Sequence, residues 1–230
     1  MAQSGYYDKR YFYFEGQVGH AACGLARLTL LPIYREWQLS TIGDESWYHA
    51  ILSTNPTVRG YLAEQVCLAT IARKGLSKVS HDLGGPMRVE YFTGIPFWAN
   101  FIQSGDTVRL YLPKAFNYPA IDAAILLLDR TRKKVWLFPI QVTLAQKHKD
   151  SETLFYQTKW GAWTRGFDGF ELESTFVWID NHRPRQSDVP TEERALRARN
   201  VMLNPPHSSI HIGVADVDQR LFNVLNTDTK

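Results

Sequence analysis

The sequence predicts a layered α/β (α+β) domain in which a mixed central sheet is flanked by helices. Three observations carry that expectation: a well-bounded helical segment near residues 56–74, several strand-like runs between residues 88 and 144, and a second helical segment after Gln146 that leads into one more strand.

Taken in order, residues 6–53 are rich in aromatics and hard to phase, with strands expected in the opening stretch and a helix near GLARLTLLPIYREW. Asn55 before Pro56 forms a cap and first-turn pair, Gly75 is a stop, and apolar residues at 58, 62, 66 and 69 keep the helical period between them. RVEYFTG (88–94) and VRLYLP (108–113) read as strands from their β-branched and aromatic content. IDAAILLLDRTRKKVWLFPIQVTL (121–144) reads as two long strands joined by a basic hairpin turn. SETLFYQTKWGAWTRGF reads as one helix of about four turns, capped by Ser151, and STFVWID (174–180) as a strand. NHRPRQSD (181–188) is polar and loop-like. PTEERALRARNVML (190–203) reads as a helix and SSIHIGVADV (208–217) as a strand, both appended to the core. The division is an aromatic-rich segment 1–53, packed on a domain spanning 54–230.

The chain has 230 residues, 44% hydrophobic and 13% aromatic, enough for one sizeable core. A net charge of +3 is too small for a global nucleic-acid footprint, so only a local cluster of Lys and Arg can make one. Cys23 and Cys67 are the only cysteines and neither belongs to a CxxC or Cys/His run, which argues against a disulfide scaffold and a structural zinc site. The opening MAQSGYYDKRYFYFEG lacks the order of a signal peptide, and no apolar stretch approaches the roughly 18 to 20 residues that cross a bilayer. The expectation is a soluble protein in a reducing, intracellular setting, without a membrane partner. No GxSxG, GxGxxG or phosphate loop is present, which sets aside serine-hydrolase and nucleotide-binding readings.

The chemistry concentrates at the open end of the 121–144 hairpin. Pairing Asp129 with Val135 brings Asp122 opposite Val142, with Gln141 and Thr143 flanking that point on one face. A one-residue change of register decides whether Asp122 shares their face. A carboxylate and an amide oxygen at two strand ends form a hard-oxygen half-cage suited to Mg²⁺ or Mn²⁺. Glu64, on the shoulder of the apolar arc between Leu68 and Ile71, is a candidate second acid. The plainer readings are a strand-end cap for Asp122 and a solvated helix residue for Glu64. Gln141 calls for a reason, since an amide inside an apolar strand needs partners. Lys147, His148 and Lys149 follow closely and can place a cation at a scissile phosphate or form a solvated loop. With Arg132, Lys133 and Lys134 in the turn and further arginines from Arg183 to Arg199, positive charge gathers in the C-terminal half, for which a phosphate backbone is a natural partner.

These residues resemble the PD-(D/E)xK nuclease superfamily. IDAAILLLD…WLFPIQVTLAQKHK is similar to the nuclease domain of Crinkler and retrotransposon-hot-spot type proteins, and YDKRYFYFEG with GLARL resembles the joint to their upstream NTPase-like region. The resemblance covers roughly residues 56–180. It implies a restriction-endonuclease-like core and a metal site of Glu64, Asp122 and Gln141, with Asp122 as the indispensable ligand. It also implies action inside a cell, with a host nucleus as one setting for a secreted effector. The superfamily's Lys falls on Thr143, whose hydroxyl cannot act as an ammonium does, so Lys147 or Lys149, with His148 as a lesser alternative, would have to reach the site. Two functions follow: a nuclease dependent on Mg²⁺ or Mn²⁺, cutting DNA rather than RNA, or a catalytically degenerate effector of the same fold. The latter would bind nucleic acid or a protein partner through its basic face or through the tryptophans at 136, 160, 163 and 178.

Overall fold

The computed structural model describes residues 12–15, 18–21, 45–53, 56–96, 98–114, 118–144, 150–181 and 205–227. Strands β1 (Phe12–Glu15) and β2 (Val18–Ala21) pair antiparallel as a separate two-stranded ribbon. Helix α1 (Glu45–Ser53) precedes the long helix α2 (Pro56–Lys74). Gly75 closes α2 at φ +80°, and its N–H returns to the Ile71 carbonyl at 2.8 Å. A Cβ there would run into the carbonyl oxygen of Leu83, so glycine answers both the backbone angle and the space.

The main sheet has six strands in the order of the chain: β3 (Arg88–Phe92), β4 (Val108–Pro113), β5 (Ala123–Asp129), β6 (Lys134–Thr143), β7 (Glu171–Asp180) and β8 (Ser208–Gly213). β4, β5 and β6 form an antiparallel meander, whereas β3 pairs parallel to β4, and β7 and β8 run parallel to β6. Between β3 and β4 lies the short helix α3 (Ala99–Gln103). The parallel crossover from β6 to β7 carries α4 (Ser151–Thr158) and α5 (Trp160–Thr164). The single helix expected here is broken at Lys159, two residues before Gly161, the weakest helix former of the run. Its N-cap is Asp150 rather than Ser151, without a side-chain capping bond.

Alternation along the strands divides the interior. Ala123, Ile125, Phe138, Ile140, Val142, Val177 and Ile179 face a core with α2, through Val66, Cys67 and Ile71. Ala124, Leu126, Val135, Leu137, Phe176 and Trp178 face an aromatic core with Phe155 of α4, Trp163 of α5, Trp98 and Tyr111. Trp163 and Trp178 are buried and Trp136 and Trp160 partly so, which gives these tryptophans a packing role. Tyr48 and Ile51 of α1 also join the α2 core, so that helix, which lies before residue 54, shares it.

The C-terminal stretch differs from the strand expected over 208–217. β8 stops at Gly213, because the Asp216 carboxylate accepts the Gly213 N–H at 3.0 Å and opens the short helix α6 (Val214–Val217). A further helix, α7 (Gln219–Leu225), starts at Asp218, whose carboxylate accepts from Leu221 N–H at 2.9 Å and from the hydroxyls of Tyr48 (3.0 Å) and Thr70 (3.1 Å). The helices expected near residues 24–37 and 190–203 lie outside the described residues. Among the described residues no helix is long and apolar enough to cross a membrane.

Candidate functional site

The β5–β6 register is one residue from the expected one: Asp129 pairs with Lys134 and Ala123 with Ile140. The four turn residues Arg130–Lys133 explain the shift. Asp129 Oδ1 accepts the Arg132 N–H at 2.9 Å, and Lys133 takes φ +51°, so β6 begins directly afterwards. Asp122 therefore stands level with Gln141 rather than Val142, and the two side chains meet. Gln141 Nε2 donates to Asp122 Oδ2 at 2.6 Å, and the Val142 N–H donates to the same oxygen at 2.7 Å. Asp122 N–H itself reaches the Ile140 carbonyl at 2.8 Å. The carboxylate thus continues the ladder beyond the last backbone pair, and Gln141 Nε2 finds acceptors in Asp122 Oδ2 and, at 3.3 Å, the Val142 carbonyl.

The neighbouring strands extend this polar end. Parallel registry sets Gln141 beside Trp178 and Thr143 beside Asp180, and then Trp178 beside His211 and Asp180 beside Gly213. Alternation puts Gln141, Thr143, Trp178, Asp180 and His211 on one face, that of α4 and the aromatic core. His211 Nδ1 lies 3.5 Å from Asp180 Oδ2, and its ring stacks over Trp178 with centroids 5.9 Å apart. Behind them Glu152, at the start of α4, accepts from Trp178 Nε1 (3.1 Å) and Ser209 Oγ (3.0 Å), and its other oxygen meets His207 Nε2 at 3.2 Å. His207 stacks on Tyr156 at 3.5 Å. Burial is the largest single influence on Glu152 and pushes its pKa up, but the hydrogen bonds from His207, Trp178 and Ser209 together outweigh it and hold the carboxyl below its ordinary range.

Glu64 is half-buried on α2, on the other side of the sheet, where it accepts a hydrogen bond from Gln65 Nε2 at 2.9 Å. The fully buried Cys67 thiol relates it to the site: burial first, then the negative charges of Asp218, Glu64 and Asp122, push its pKa far up. Both Glu64 and Asp122 therefore lie within electrostatic reach of one thiol, although the direct contact is the one between Asp122 and Gln141. Among the described residues no group of three or more His, Cys, Asp or Glu side chains is arranged to hold a metal ion.

Lys147, His148 and Lys149 lie outside the described residues; the sequence joins them to β6 just past Leu144. Arg132, Lys133 and Lys134 sit at the turn, the far end of the hairpin from Asp122, roughly 20 Å away at the rise of a β-strand. Lys134 there is engaged by Glu173 at 2.5 Å and Glu171 at 3.4 Å, and Arg132 by Asp129 at 3.6 Å. Sequence reasoning missed Glu152, Asp180, His207 and His211, and named Trp178 only among the tryptophans of a binding face. The available signal was the parity of β7 and β8, which puts Trp178, Asp180, Ser209 and His211 on the face of Gln141 once the strands are taken as parallel and in register. Comparison of the chain with protein-family models, with curated proteins and with solved structures finds no match in any of the three.

Proposed function

We propose that this chain is a divalent-metal-dependent nuclease with a restriction-endonuclease-like core, hydrolysing phosphodiester bonds in DNA in preference to RNA. The observation that carries the reading is the meeting of the Asp122 carboxylate with the Gln141 amide at 2.6 Å. Support comes also from the order of elements: helix α2, the antiparallel β4–β5–β6, a helical crossover and the parallel β7.

The donor set fits a small hard cation by its chemistry, since it joins a carboxylate to an amide on one face at a strand end. The amide now offers nitrogen to Asp122, and rotation about its last torsion exchanges that nitrogen for the oxygen a cation requires. Asp122 and Gln141 would hold the ion; Glu64, on α2 on the other side of the sheet and bonded to Gln65 Nε2, would have to come round the end of the strands to join them. Mg²⁺ or Mn²⁺ supplies Lewis acidity toward a phosphate oxygen and lowers the pKa of a bound water. The chain's own part is to orient the phosphate and carry protons and charge. Thr143 occupies the position of the superfamily's lysine, so Lys147 or Lys149 would bring the cation there, with His148 beside them. Action inside a cell, including a nucleus, and an upstream NTPase-like domain or protein partner belong to the same reading.

A second reading, an effector that binds nucleic acid or protein without cutting, is favoured by one observation. Asp122 Oδ2 is already engaged by Val142 N–H and Gln141 Nε2, as a structural strand end would be. Incubation of plasmid DNA and a structured RNA with Mg²⁺, Mn²⁺ or EDTA, with Asp122→Asn alongside, separates the two. Metal-dependent cutting lost in the variant supports the nuclease; folded protein that binds but never cuts supports the effector.

A further inference from the structure

Away from the strand ends, residues of α3 and α5 line a cleft that the metal site does not use. Its floor is fixed by the aromatic core. Trp98 is buried, its Nε1 donates to the Trp163 carbonyl at 2.8 Å, and its ring packs 4.8 Å from Tyr111 and 5.4 Å from Phe167. With Ile95 before α3, Ile102 on it and Ala162 on α5, Trp98 lines a volume of about 460 Å³, within the range of about 300–1,000 Å³ of small-molecule sites. Ile95 is 51% exposed, the most exposed of the large hydrophobic side chains described, so the cleft keeps apolar surface open to solvent. The Gln103 amide and the Arg165 guanidinium supply the polar part of the lining. α5 ends at Arg165, whose backbone is extended at φ −61° and ψ 124°, and Gly166 turns the chain at φ +102°.

Arg165 is the only charged side chain among the described residues that line the cleft. Among the described residues it has no hydrogen bond, ion pair or ring contact. Arg88, Arg109, Arg132 and Arg220, by contrast, are each held by a carboxylate, and Arg130 by backbone carbonyls. A guanidinium presents a planar pair of N–H donors that matches a carboxylate, and one unpaired positive charge suits a single negative charge better than a dianion. The apolar wall suits hydrocarbon. We infer that this cleft binds a small amphipathic monocarboxylate, its carboxylate on Arg165 and Gln103 Nε2 and its apolar body against Trp98, Ile95 and Ile102. Arg165 selects the sign of the ligand's charge, and the walls select its size. None of Asp122, Gln141 and Glu64 lines the cleft, so the inference stands apart from the nuclease reading.

The test follows the indole N–H resonance of Trp98 by NMR while hexanoate, hexanol or hexylammonium is titrated into the protein. The three probes share one apolar body and differ in charge. Hexanoate should shift the resonance saturably and bind more tightly than hexanol, with hexylammonium weakest. Arg165→Gln removes the charge at an exposed position and should weaken hexanoate about 5-fold or more, the scale of a charge pair at a partly solvated site, while leaving hexanol unchanged. Ala162→Phe fills the cleft and should weaken all three probes; if that variant does not fold, Arg165→Gln with the three probes decides alone. Asp122→Asn should bind hexanoate as the unmodified protein does, which separates this site from the metal site. Equal affinity for hexanoate and hexylammonium overturns the inference. So does unchanged hexanoate binding in Arg165→Gln, or a Trp98 resonance that hexanoate never shifts saturably in the unmodified protein.

Discussion

Replacing Asp122 by alanine should cost stability as well as any activity, and the hydrogen bonds give the size. Two donors, Val142 N–H at 2.7 Å and Gln141 Nε2 at 2.6 Å, converge on Asp122 Oδ2 in a partly buried setting. A hydrogen bond to a charged group contributes about 1.5–3 kcal/mol when buried, and partial exposure draws the pair toward the lower end, about 3 kcal/mol together. In a chain of 230 residues that lowers Tm by about 6 to 12 °C. Asp122→Asn keeps an oxygen for one of the donors and should lose about 1 kcal/mol. Urea unfolding followed by the fluorescence of the seven tryptophans reads both variants. An Asp122→Ala protein within about 0.5 kcal/mol of the unmodified one, the usual range of a surface substitution, would refute the strand-end role of the carboxylate. Asp122→Asn is accordingly the cleaner probe of chemistry.

Three further outcomes are expected. Glu152 is held below its ordinary range, so its contribution is present above pH about 4.5 and is lost as pH falls through the folded value; Glu152→Gln should flatten that acid limb of Tm against pH. Burial pushes Tyr48 up to about 12, and raises Tyr111 and Tyr156 as well, so stability should fall as pH rises from about 10, most simply checked by Tm with and without Tyr48→Phe. Trp163 is fully buried against Phe92 (5.3 Å) and Trp98 (5.4 Å), and Trp163→Ala should cost about 3–5 kcal/mol in urea unfolding.

Much of the sheet was legible in the sequence because its signals are local. The Pro and Gly boundaries of α2, the β-branched runs of β3 to β7 and the hairpin all come from nearest-neighbour chemistry. The register did not, because DRTRKK contains no glycine or asparagine to mark the left-handed residue, and Lys133 took that role. The break at Lys159 went unseen because the aromatics on both sides fit one helical period. α7 carried a readable signal in Asp218 followed by Leu221 and Leu225, which the strand reading of the preceding residues obscured. For the site, the meeting of Asp122 and Gln141 followed from strand geometry up to one residue. The Asp180–His211 pair depended on two parallel pairings between segments far apart in the chain, which no local pattern encodes. The separation of Arg132, Lys133 and Lys134 from Asp122 is also a matter of hairpin geometry: turn and open end lie at opposite ends.

The central claim, that Asp122 and Gln141 together hold a divalent cation, is tested most directly by titrating Mn²⁺ into the protein under electron paramagnetic resonance, beside Asp122→Asn and Gln141→Leu. The account predicts one site in the unmodified protein, lost in Asp122→Asn and weakened about tenfold or more in Gln141→Leu, the scale of a lost ligand or supporting group. Equal binding in all three folded proteins, or no binding in any, would contradict it.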